Sequence, residues 1–486
     1  MSPTPTTRPA ASRANESAAA ERAATPPSTA ELLQRYDRPG PRYTSYPTAV
    51  EFSESFTEAD YRERLSAADA QPDDPLSVYA HLPFCEERCL YCGCNVVITK
   101  HRDVAETYMQ HVLLEVDLLA RHLPRRRRVS QMHWGGGTPT YYPAGDLERL
   151  HRAFAERFEF TPDAEIGIEV DPRVTTHEQV KRLAKLGFNR ISLGVQDFDP
   201  EVQRTVHRIQ GYDLTRELVE KSRGEGFHSV NIDLIYGLPY QTLDAFKRTL
   251  DLVMTIRPDR VAVYSFAFVP WIKAHMNHIP VEALPGPELK LGLLALTMDA
   301  FGAGGYHSIG MDHFALPEDE LSRAVEARRL HRNFMGYTVQ SARDMVAVGI
   351  SGIGDVQGAY AQNVKKLPVY YEKLQAGRFP LERGYRLSAD DVVRRYIITN
   401  LMCNLHLDVR EVERLFDLSF ADAFAPELAE LTGADSPVRH GLLRVTPDAL
   451  EVTRIGRMFV RNICMIFDRY LRARATQEKP VFSRTV

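Results

Sequence analysis

The stretch LSVYAHLPFCEERCLYCGC, residues 76–94, decides the interpretation of this sequence. In it, a β-branched and aromatic run leads into a loop with four of the chain's six cysteines, Cys85, Cys89, Cys92 and Cys94. Thiolates are soft ligands that select zinc or iron–sulfur clusters. Ten residues offer little backbone to surround a tetrahedral ion, whereas one loop can hold a larger four-iron cluster from one side. The spacing therefore predicts an iron–sulfur cluster, with zinc as the alternative.

The C-x3-C-x2-C spacing also suggests a chemistry for such a cluster. If only Cys85, Cys89 and Cys92 ligate, one iron keeps an open position that can bind a substrate, as open metal sites do. The amino and carboxylate groups of S-adenosylmethionine (SAM) suit that position. An electron passed to the sulfonium would then release methionine and a 5′-deoxyadenosyl radical.

The cysteine loop follows the first of several short β-branched runs, which alternate with longer amphipathic stretches. Such alternation is typical of a parallel sheet with helical crossovers. Six repeats are too few for a closed eight-stranded barrel and predict an α/β fold built as an open, partial (β/α)6 barrel. The six runs are Leu76–Leu82, Ser130–Trp134, Ala164–Val170, Arg190–Val195, Ser229–Ile235 and Arg260–Phe266.

The ends of these runs carry polar or small residues in unusual number. In β/α barrels the chemistry lies at the carboxyl ends of the strands, where loops can carry polar groups without disturbing the core. We therefore expect one site built from several strand ends. The candidates are Cys85, Gly135–Thr138, Glu169–Asp171, Gln196–Asp197, Asp233 and Ala267–Phe268.

The sequence changes character on both sides of the predicted barrel. Residues 1–30 are rich in Ala, Ser, Thr, Pro and Arg without a hydrophobic period, which predicts a disordered tail. Residues 31–74 include GPRYTSYPT (40–48), which predicts an extended segment packed on the barrel. We assign 75–383 to the barrel with an extension and 384–486, where the alternation stops, to a smaller and mostly helical domain. Its predicted elements are helices at Ala389–Asn404, Val409–Phe416 and Ile455–Arg474, and a small sheet near Leu442–Val445 and Ala449–Val452.

The overall composition argues against several classes of protein. Sixty Lys and Arg against 64 Asp and Glu give a net charge of −4, a balance that does not indicate binding to nucleic acid or to an anionic membrane. We read the basic run Arg125–Arg128 as a solvated turn. No apolar run approaches the roughly 18–20 residues needed to span a bilayer, and no secretion signal is apparent, so we expect a cytoplasmic protein. The two isolated cysteines, Cys403 and Cys464, are expected in the core.

The motifs resemble those of a known family. The C-x3-C-x2-C loop after a first barrel strand is similar to that of radical SAM enzymes, and YAHLPFC (79–85) with Gly93–Asn95 resembles the oxygen-independent coproporphyrinogen III oxidases (dehydrogenases). The resemblance extends over about residues 31–486. It includes GPRYTSYPT, IGMDHF (309–314), LHRNF (330–334), RNICM (461–465) and FSR (482–484).

This resemblance implies a role for each matching residue. Cys85, Cys89 and Cys92 would ligate a [4Fe–4S] cluster, and Cys94 would lie beside it without ligating. Two SAM molecules would bind at the barrel mouth. The cluster-bound SAM would contact Tyr79, Gly136, Glu169 and Ile353, of which we predict Tyr79 and Glu169 to be catalytic. The second SAM would contact Tyr91, Gly137, Thr138, Gln196, Arg208, Asp233 and Ala267.

The residue types suit those roles. Glu169 is an acceptor for the SAM ammonium, and Arg208 offers a fork of donors to a carboxylate. Asp233 can accept from both hydroxyls of a ribose, and the ring of Tyr79 can pack against the sulfonium. One residue departs from the family pattern, because Phe268 stands where a histidine is common.

The reaction implied by the resemblance is the conversion of coproporphyrinogen III to protoporphyrinogen IX. The radical would remove hydrogen from the β-carbon of a propionate, and loss of carbon dioxide and one electron would leave a vinyl group, twice per substrate. An electron donor such as a flavodoxin or ferredoxin and an unidentified electron acceptor are implied, and a monomer is expected. Arg42 and Arg332 are candidates to bind the substrate's carboxylates.

Three other functions fit parts of the pattern. A haem chaperone on the same scaffold generally lacks both the fourth cysteine and the extended N-terminal segment, and this chain has Cys94 and residues 40–48. A radical SAM methyltransferase would use the second SAM as a methyl donor. A simple electron-transfer ferredoxin would not need 486 residues and six strand-end loops.

Overall fold

The computed structural model describes residues 27–340, 342–474 and 482–485. Most of the predicted tail, residues 1–26, lies outside these ranges. Its last residues already belong to a helix, Thr29–Tyr36, because the Ser28 side chain accepts from the main-chain amide of Glu31 while the Glu31 carboxylate accepts from Ser28. The tail predicted for 1–30 is therefore too long at this end.

A twelve-stranded sheet forms the centre of the molecule. Its first six strands fall where the sequence predicts them and pair in parallel, each with the next along the chain. The predicted partial (β/α)6 barrel is confirmed. These strands are β1 (Leu76–Leu82), β2 (Arg128–Gly136), β3 (Glu159–Val170), β4 (Arg190–Gln196), β5 (Ser229–Tyr236) and β6 (Arg260–Ser265).

Six further strands extend the sheet at both edges, which the alternation did not predict. β8 pairs antiparallel with β6, and β9 pairs parallel with β1. The remaining pairs are antiparallel, giving the order β12-β11-β10-β9-β1-β2-β3-β4-β5-β6-β8-β7. The added strands are β7 (His307–Ile309), β8 (His313–Ala315), β9 (Asp344–Val348), β10 (Ile353–Val356), β11 (Ala359–Asn363) and β12 (Leu381–Arg386).

Amphipathic helices cover the outer face of the sheet, and the hydrophobic core lies between the helices and the sheet. In β4, for example, Ile191, Leu193 and Val195 are buried, while the alternating Ser192 and Gly194 face the barrel interior. Period-two burial of this kind is typical of a strand with one apolar face. The helices between the strands are Arg102–His122, Ala144–Ala155, His177–Lys185, Pro200–Thr205, Tyr212–Gly224, Leu243–Ile256 and Pro287–Ala303; Glu320–Glu326 and Leu367–Gln375 lie in the extension.

A short hairpin lies against the interior of the barrel. Its strands are His331–Asn333 and Gly336–Thr338. The Thr338 hydroxyl accepts from Gln131 Nε2 at 3.0 Å, so the end of the hairpin opposite its turn sits on the amino-terminal part of β2. The hairpin belongs to the extension and was not predicted.

The N-terminal region is less extended than the sequence predicts. Within 31–74, Glu58–Asp69 is also helical, again because a capping box forms at Thr57 and Asp60. The extended part, 40–48, lies against the C-terminal residues and the sheet: Tyr43 Oη donates to Asp468 at 2.9 Å, and the Tyr46 carbonyl accepts from Tyr360 at 3.1 Å.

The C-terminal region is mostly helical, and its apolar residues form a cluster with residues of the N-terminal segment and of the extension, such as Leu32, Tyr46 and Ile309. Cys403 and Cys464 are 1% and 0% exposed, as expected of core residues. The small sheet gains a third strand, and the last predicted helix is interrupted at Phe467–Asp468. Its strands are His406–Asp408, Leu443–Val445 and Ala449–Val452, and its helices are Ala389–Asn404, Val409–Phe416, Phe420–Ala423, Ala425–Thr432, Val460–Ile466 and Arg469–Arg474.

No helix in the described ranges is long and apolar enough to cross a membrane.

Candidate active site at the cysteine loop

The cysteine loop is closed by backbone contacts at the carboxyl end of β1. Phe84–Cys85 pairs in parallel with Val97–Ile98 and brings the two ends of the loop together. The Leu90 amide donates to the Val206 carbonyl at 3.0 Å, which fixes the middle of the loop to the segment after β4. The loop is thus held from both sides before any ligand binds.

The Cys89 thiol lies against two guanidinium groups. Arg173 Nη2 and Arg208 Nη1 are each 3.7 Å from Cys89 Sγ. Both arginines pair with Asp171 Oδ2, at 2.7 and 3.0 Å. Burial raises the pKa of Asp171, but Arg208 and Arg173 outweigh it and hold the pKa below its usual value. Positive charge beside a thiol favours the thiolate, the form that binds metal.

Cys92 and Cys94 interact with each other and with the segment after β6. The hydrogen bond from Cys94 lowers the pKa of Cys92 to about 6 despite burial, and raises that of Cys94. The carbonyls of these two residues accept from His275 Nε2 at 2.9 Å and Lys273 Nζ at 3.0 Å.

The thiols suit a cluster better than a single ion. Cys85, Cys89, Cys92 and Cys94 are all free of disulfides. A loop of soft thiolates with flanking cations fits an iron–sulfur cluster.

The glycine motif after β2 wraps around the start of the cysteine loop. The amides of Gly137 and Thr138 donate to the carbonyls of Leu82 and Phe84, each at 2.9 Å. The Thr138 hydroxyl lies 3.4 Å from Cys85 Sγ. Gly136 has φ +116°, and a Cβ there would lie 2.5 Å from the His81 ring, so only glycine fits without displacement.

Glu169 lies at the end of β3 beside this motif. The Gly136 amide donates to Glu169 Oε2 at 3.0 Å, and His133 Nε2 is 3.5 Å from Oε1. Burial raises the pKa of Glu169, but His133 and the Gly136 amide outweigh it, so the carboxylate is ionised at neutral pH. Its side chain remains 46% exposed and can accept a further donor.

Tyr79 on β1 completes this side of the site. Its ring stacks on that of His133 at 6.4 Å, and its hydroxyl lies 3.1 Å from His81 Nδ1. His81 Nε2 in turn lies 2.9 Å from the carbonyl of Asn95, within the cysteine loop. Tyr79, Gly136 and Glu169 therefore lie together next to the cysteines.

The residues assigned to the second SAM occupy the neighbouring strands. Asp233 on β5 accepts from Ser192 at 3.1 Å and from Asn231 at 2.8 Å, and burial raises its pKa to about 6. Arg208 donates to the Gly194 carbonyl, and its buried Nε has no partner in the described structure. Gln196, at the end of β4, has φ +71°.

Tyr91 lies in the cysteine loop itself, next to Cys92, and packs on a satellite apolar cluster. Two other candidates lie further apart. Ala267 follows β6, and Ile353 begins β10 on the far side of β1, so the two stand on opposite flanks of the carboxyl edge. Phe268 packs against Phe266 at 6.2 Å.

Sequence reasoning missed several residues that contact the cysteine loop. Arg173, Lys273 and His275 carried no motif and come from loops after β3 and β6. His81, which was not among the predicted site residues, touches both Tyr79 and the loop. The sequence indicated Asp171 as a strand-end candidate, but it did not indicate that Asp171 lies beneath Cys89.

Comparison with known proteins agrees with this geometry. Residues 79–253 match the family model of the radical SAM superfamily, and 387–459 match that of the HemN C-terminal domain. The oxygen-independent coproporphyrinogen III oxidase of Escherichia coli is 45% identical over 456 residues, covering 94% of this chain and 98% of that protein. The one from Synechocystis is 42% identical over 462 residues, with the same coverage.

A solved structure extends this similarity to three dimensions. It is described as coproporphyrinogen III oxidase from Escherichia coli, a radical SAM enzyme. It superposes with a TM-score of 0.86 at 43% identity, covering 92% of this chain and 99% of that one.

The barrel, the cysteine loop and the superfamily match define a radical SAM protein. Within that class, similarity over almost the whole length of several relatives places the chain more narrowly. It belongs to the oxygen-independent coproporphyrinogen III oxidase family.

Proposed function

We propose that this chain converts coproporphyrinogen III to protoporphyrinogen IX by oxidative decarboxylation of two propionate side chains. The observation that carries the proposal is a cysteine loop fixed at the carboxyl edge of the barrel, in a chain that is similar over 94% of its length to an enzyme of that name. A [4Fe–4S] cluster and SAM, when bound, supply the 5′-deoxyadenosyl radical.

The chain's residues hold these groups and orient them. We assign Cys85, Cys89 and Cys92 to the cluster. Glu169 accepts from the ammonium of the cluster-bound SAM; its ionised, half-exposed carboxylate supports this role. Tyr79 packs near the sulfonium, and Gly136 and Ile353 complete that site.

A second SAM is assigned to the neighbouring strand ends. Arg208 is aimed at its carboxylate and Asp233 at its ribose hydroxyls. The unpartnered Nε of Arg208 supports the first assignment, since a buried N–H lacking an acceptor is rare. The other assigned contacts are Tyr91, Gly137, Thr138, Gln196 and Ala267.

Electron delivery uses the outer face of the cysteine loop. A cavity of about 950 Å³ opens there beside Arg88, Arg204 and Ile209. Of the ten large apolar side chains that are exposed in the described ranges, Ile209 lines this cavity, and Trp271 and Ile272 precede Lys273 and His275, which contact the cysteine loop. A small acidic electron carrier, such as a flavodoxin or ferredoxin, suits a surface of this kind. The electron acceptor stays unidentified, and a cytoplasmic monomer stays a prediction.

The test is anaerobic reconstitution with iron and sulfide, followed by incubation with SAM, a reductant and coproporphyrinogen III. Formation of protoporphyrinogen IX together with 5′-deoxyadenosine supports the proposal. Stable haem binding without product would favour the chaperone function instead. Methyl transfer from SAM to a substrate would favour the methyltransferase.

A further inference from the structure

A second cavity, of about 490 Å³, lies apart from the cysteine loop. Its walls come from the segment Tyr43–Tyr46, the hairpin that begins at His331, and the helix Ala389–Asn404. We call it the basic cavity. Its volume is within the range of pockets that enclose sizeable organic ligands.

Positive charge is in excess around the basic cavity. Five arginines line it, with two carboxylates, Asp355 and Glu411. Asp355 pairs with Arg395 at 2.9 Å, and Glu411 lies 3.7 Å from Arg414. Both acidic groups are therefore already compensated.

Three of the five arginines have no carboxylate within 4.0 Å in the described part of the chain: Arg329, Arg332 and Arg343. Arg329 and Arg343 are exposed, whereas Arg332 is half-buried. Arg332 Nη1 donates to the Arg42 carbonyl at 2.8 Å, and its Nε is buried without a partner. Most N–H groups of a buried guanidinium have a hydrogen-bond acceptor. The Nε of Arg332 lacks one and is therefore available to a ligand that carries an acceptor, such as a carboxylate.

Apolar and aromatic side chains form much of the remaining wall, together with the polar residues Thr44, Ser45, His331, Asn333, Thr399, Asn400 and Asn404. Phe334 and Tyr360 meet edge to face at 5.8 Å, and Met345 and Met402 face the same space. A partly apolar wall and several guanidinium groups without a carboxylate partner suit a large apolar ring system that carries several carboxylates.

The hairpin connects the basic cavity to the site at the cysteine loop. Its first strand carries Arg332, and the ring of Tyr337 on the return strand lies 5.1 Å from the Arg332 guanidinium. Tyr337 also lines a smaller cavity in the barrel interior, together with Glu169 and Asp233. The hairpin therefore lies between a ligand in the basic cavity and the residues assigned to SAM.

We propose that the basic cavity anchors propionate carboxylates of the tetrapyrrole substrate, with Arg329, Arg332 and Arg343 as the anchoring residues. The assignment rests on the proposed function, which supplies a substrate with four carboxylates. Of the two substrate arginines expected from the sequence, it keeps Arg332 and adds Arg329 and Arg343. Arg42 takes a different part here, since its guanidinium lies 3.7 Å from Asp312 and its carbonyl holds Arg332.

The first test measures KM and kcat for coproporphyrinogen III in the reconstituted enzyme. In the double variant Arg329→Gln/Arg343→Gln, KM should rise at least ten-fold, with kcat and the iron content unchanged. Arg332→Gln should act in the same direction, and Arg332→Lys should restore part of the loss. Arg410→Gln, an exposed arginine of the C-terminal domain, is the control and should match the wild type. An unchanged KM in the double variant would overturn the proposal even if Arg332→Gln fails to fold.

A second test separates this proposal from the proposed function. Coproporphyrin III, which is stable and carries four carboxylates, and protoporphyrin IX, which carries two, are titrated against each protein by fluorescence. The proposal expects tighter binding of coproporphyrin III and loss of that preference in the double variant, even if no turnover is found. Equal affinity of the wild type for both porphyrins would contradict the proposal.

Discussion

Arg208 and Asp171 form a buried ion pair directly beneath the Cys89 thiol. Arg208 Nη1 lies 3.0 Å from Asp171 Oδ2 and 3.7 Å from Cys89 Sγ. Because Arg173 shares the same carboxylate oxygen, one acid balances two guanidinium groups. The cysteine loop therefore faces a net positive charge whose position depends on Asp171.

Asp171→Asn should destabilise the protein by about 3 kcal/mol, because removing one partner of a buried pair leaves the other charge uncompensated. Urea unfolding of the cluster-free protein measures this. The reconstituted variant should also hold less iron, since Arg208 and Arg173 lose their fixed positions. Asp213→Asn, whose side chain is 81% exposed, should change stability by no more than about 0.5 kcal/mol. A loss below about 1 kcal/mol for Asp171→Asn would show that the pair is not needed.

The sequence predicts the cysteine loop and strand ends better than the residues around them. Strand ends such as Glu169 and Asp233 are visible because a polar residue follows a β-branched run. Arg173 and His275 follow no run, and they reach the loop only after the chain has folded. Their partners lie 84 and 183 residues away, a separation that no local pattern encodes.

Long-range contacts also explain the failures at the level of the fold. We expected Arg125–Arg128 to be a solvated turn, and this is wrong for Arg126, which is 0% exposed and pairs with Asp344 at 2.5 Å. Asp344 is the first residue of β9, 218 positions further along the chain. The edge strands β7–β12 were missed for a related reason: they are short or antiparallel, and lack the alternation that marks β1–β6.

Cys85→Ser should abolish the absorption and paramagnetic spectra of the reconstituted cluster, because it removes one of three assigned ligands. Cys94→Ser should retain most of the cluster, since Cys94 is the exposed thiol and is assigned no iron. Iron and sulfide content, measured anaerobically on both variants, distinguishes them. Cluster loss in both would make Cys94 a fourth ligand and contradict the three-ligand assignment.

Gly136→Ala should weaken SAM binding by at least ten-fold. The new Cβ would meet the His81 ring at 2.5 Å on a backbone with φ +116°, a strain of about 1–3 kcal/mol. Relieving this strain would break either the hydrogen bond between His81 and the Asn95 carbonyl or the one between the Gly136 amide and Glu169. Equilibrium binding of SAM to the reconstituted enzyme checks this. Gly145→Ala is the matched control, because nothing lies within 4 Å of its added Cβ. Equal SAM affinity in both variants would refute the close packing at Gly136.

Titration of Glu115 should lower the free energy of unfolding as the pH rises from about 5 to 7. The residue is 2% exposed, and burial raises its pKa from 4.5 to about 7 even though Gly349, Tyr370 and Asn363 donate to it. The folded state then keeps a proton that the unfolded chain releases, which corresponds to at most about 3 kcal/mol across this window. Urea unfolding between pH 5 and 8 should show a shallower fall in Glu115→Gln. The exposed Glu178→Gln should follow the wild type. Parallel curves for Glu115→Gln and the wild type would exclude titration of this group.

Reduction by a protein donor should depend on positive charge outside the cysteine loop. Arg88 and Arg204 have no carboxylate within 4.0 Å among the described residues. Of the three acids that line the cavity outside this loop, Asp171 pairs with Arg173 and Arg208, Glu86 pairs with Arg102, and Glu87 is left to oppose Arg88 and Arg204. Arg88→Glu/Arg204→Glu should slow 5′-deoxyadenosine formation driven by reduced flavodoxin at least ten-fold, and added salt should slow the wild type similarly. The rate with dithionite should be unchanged, because a small reductant needs no docking surface. Arg410→Glu is the control for charge reversal elsewhere. Unchanged flavodoxin-driven rates would place the donor on another face.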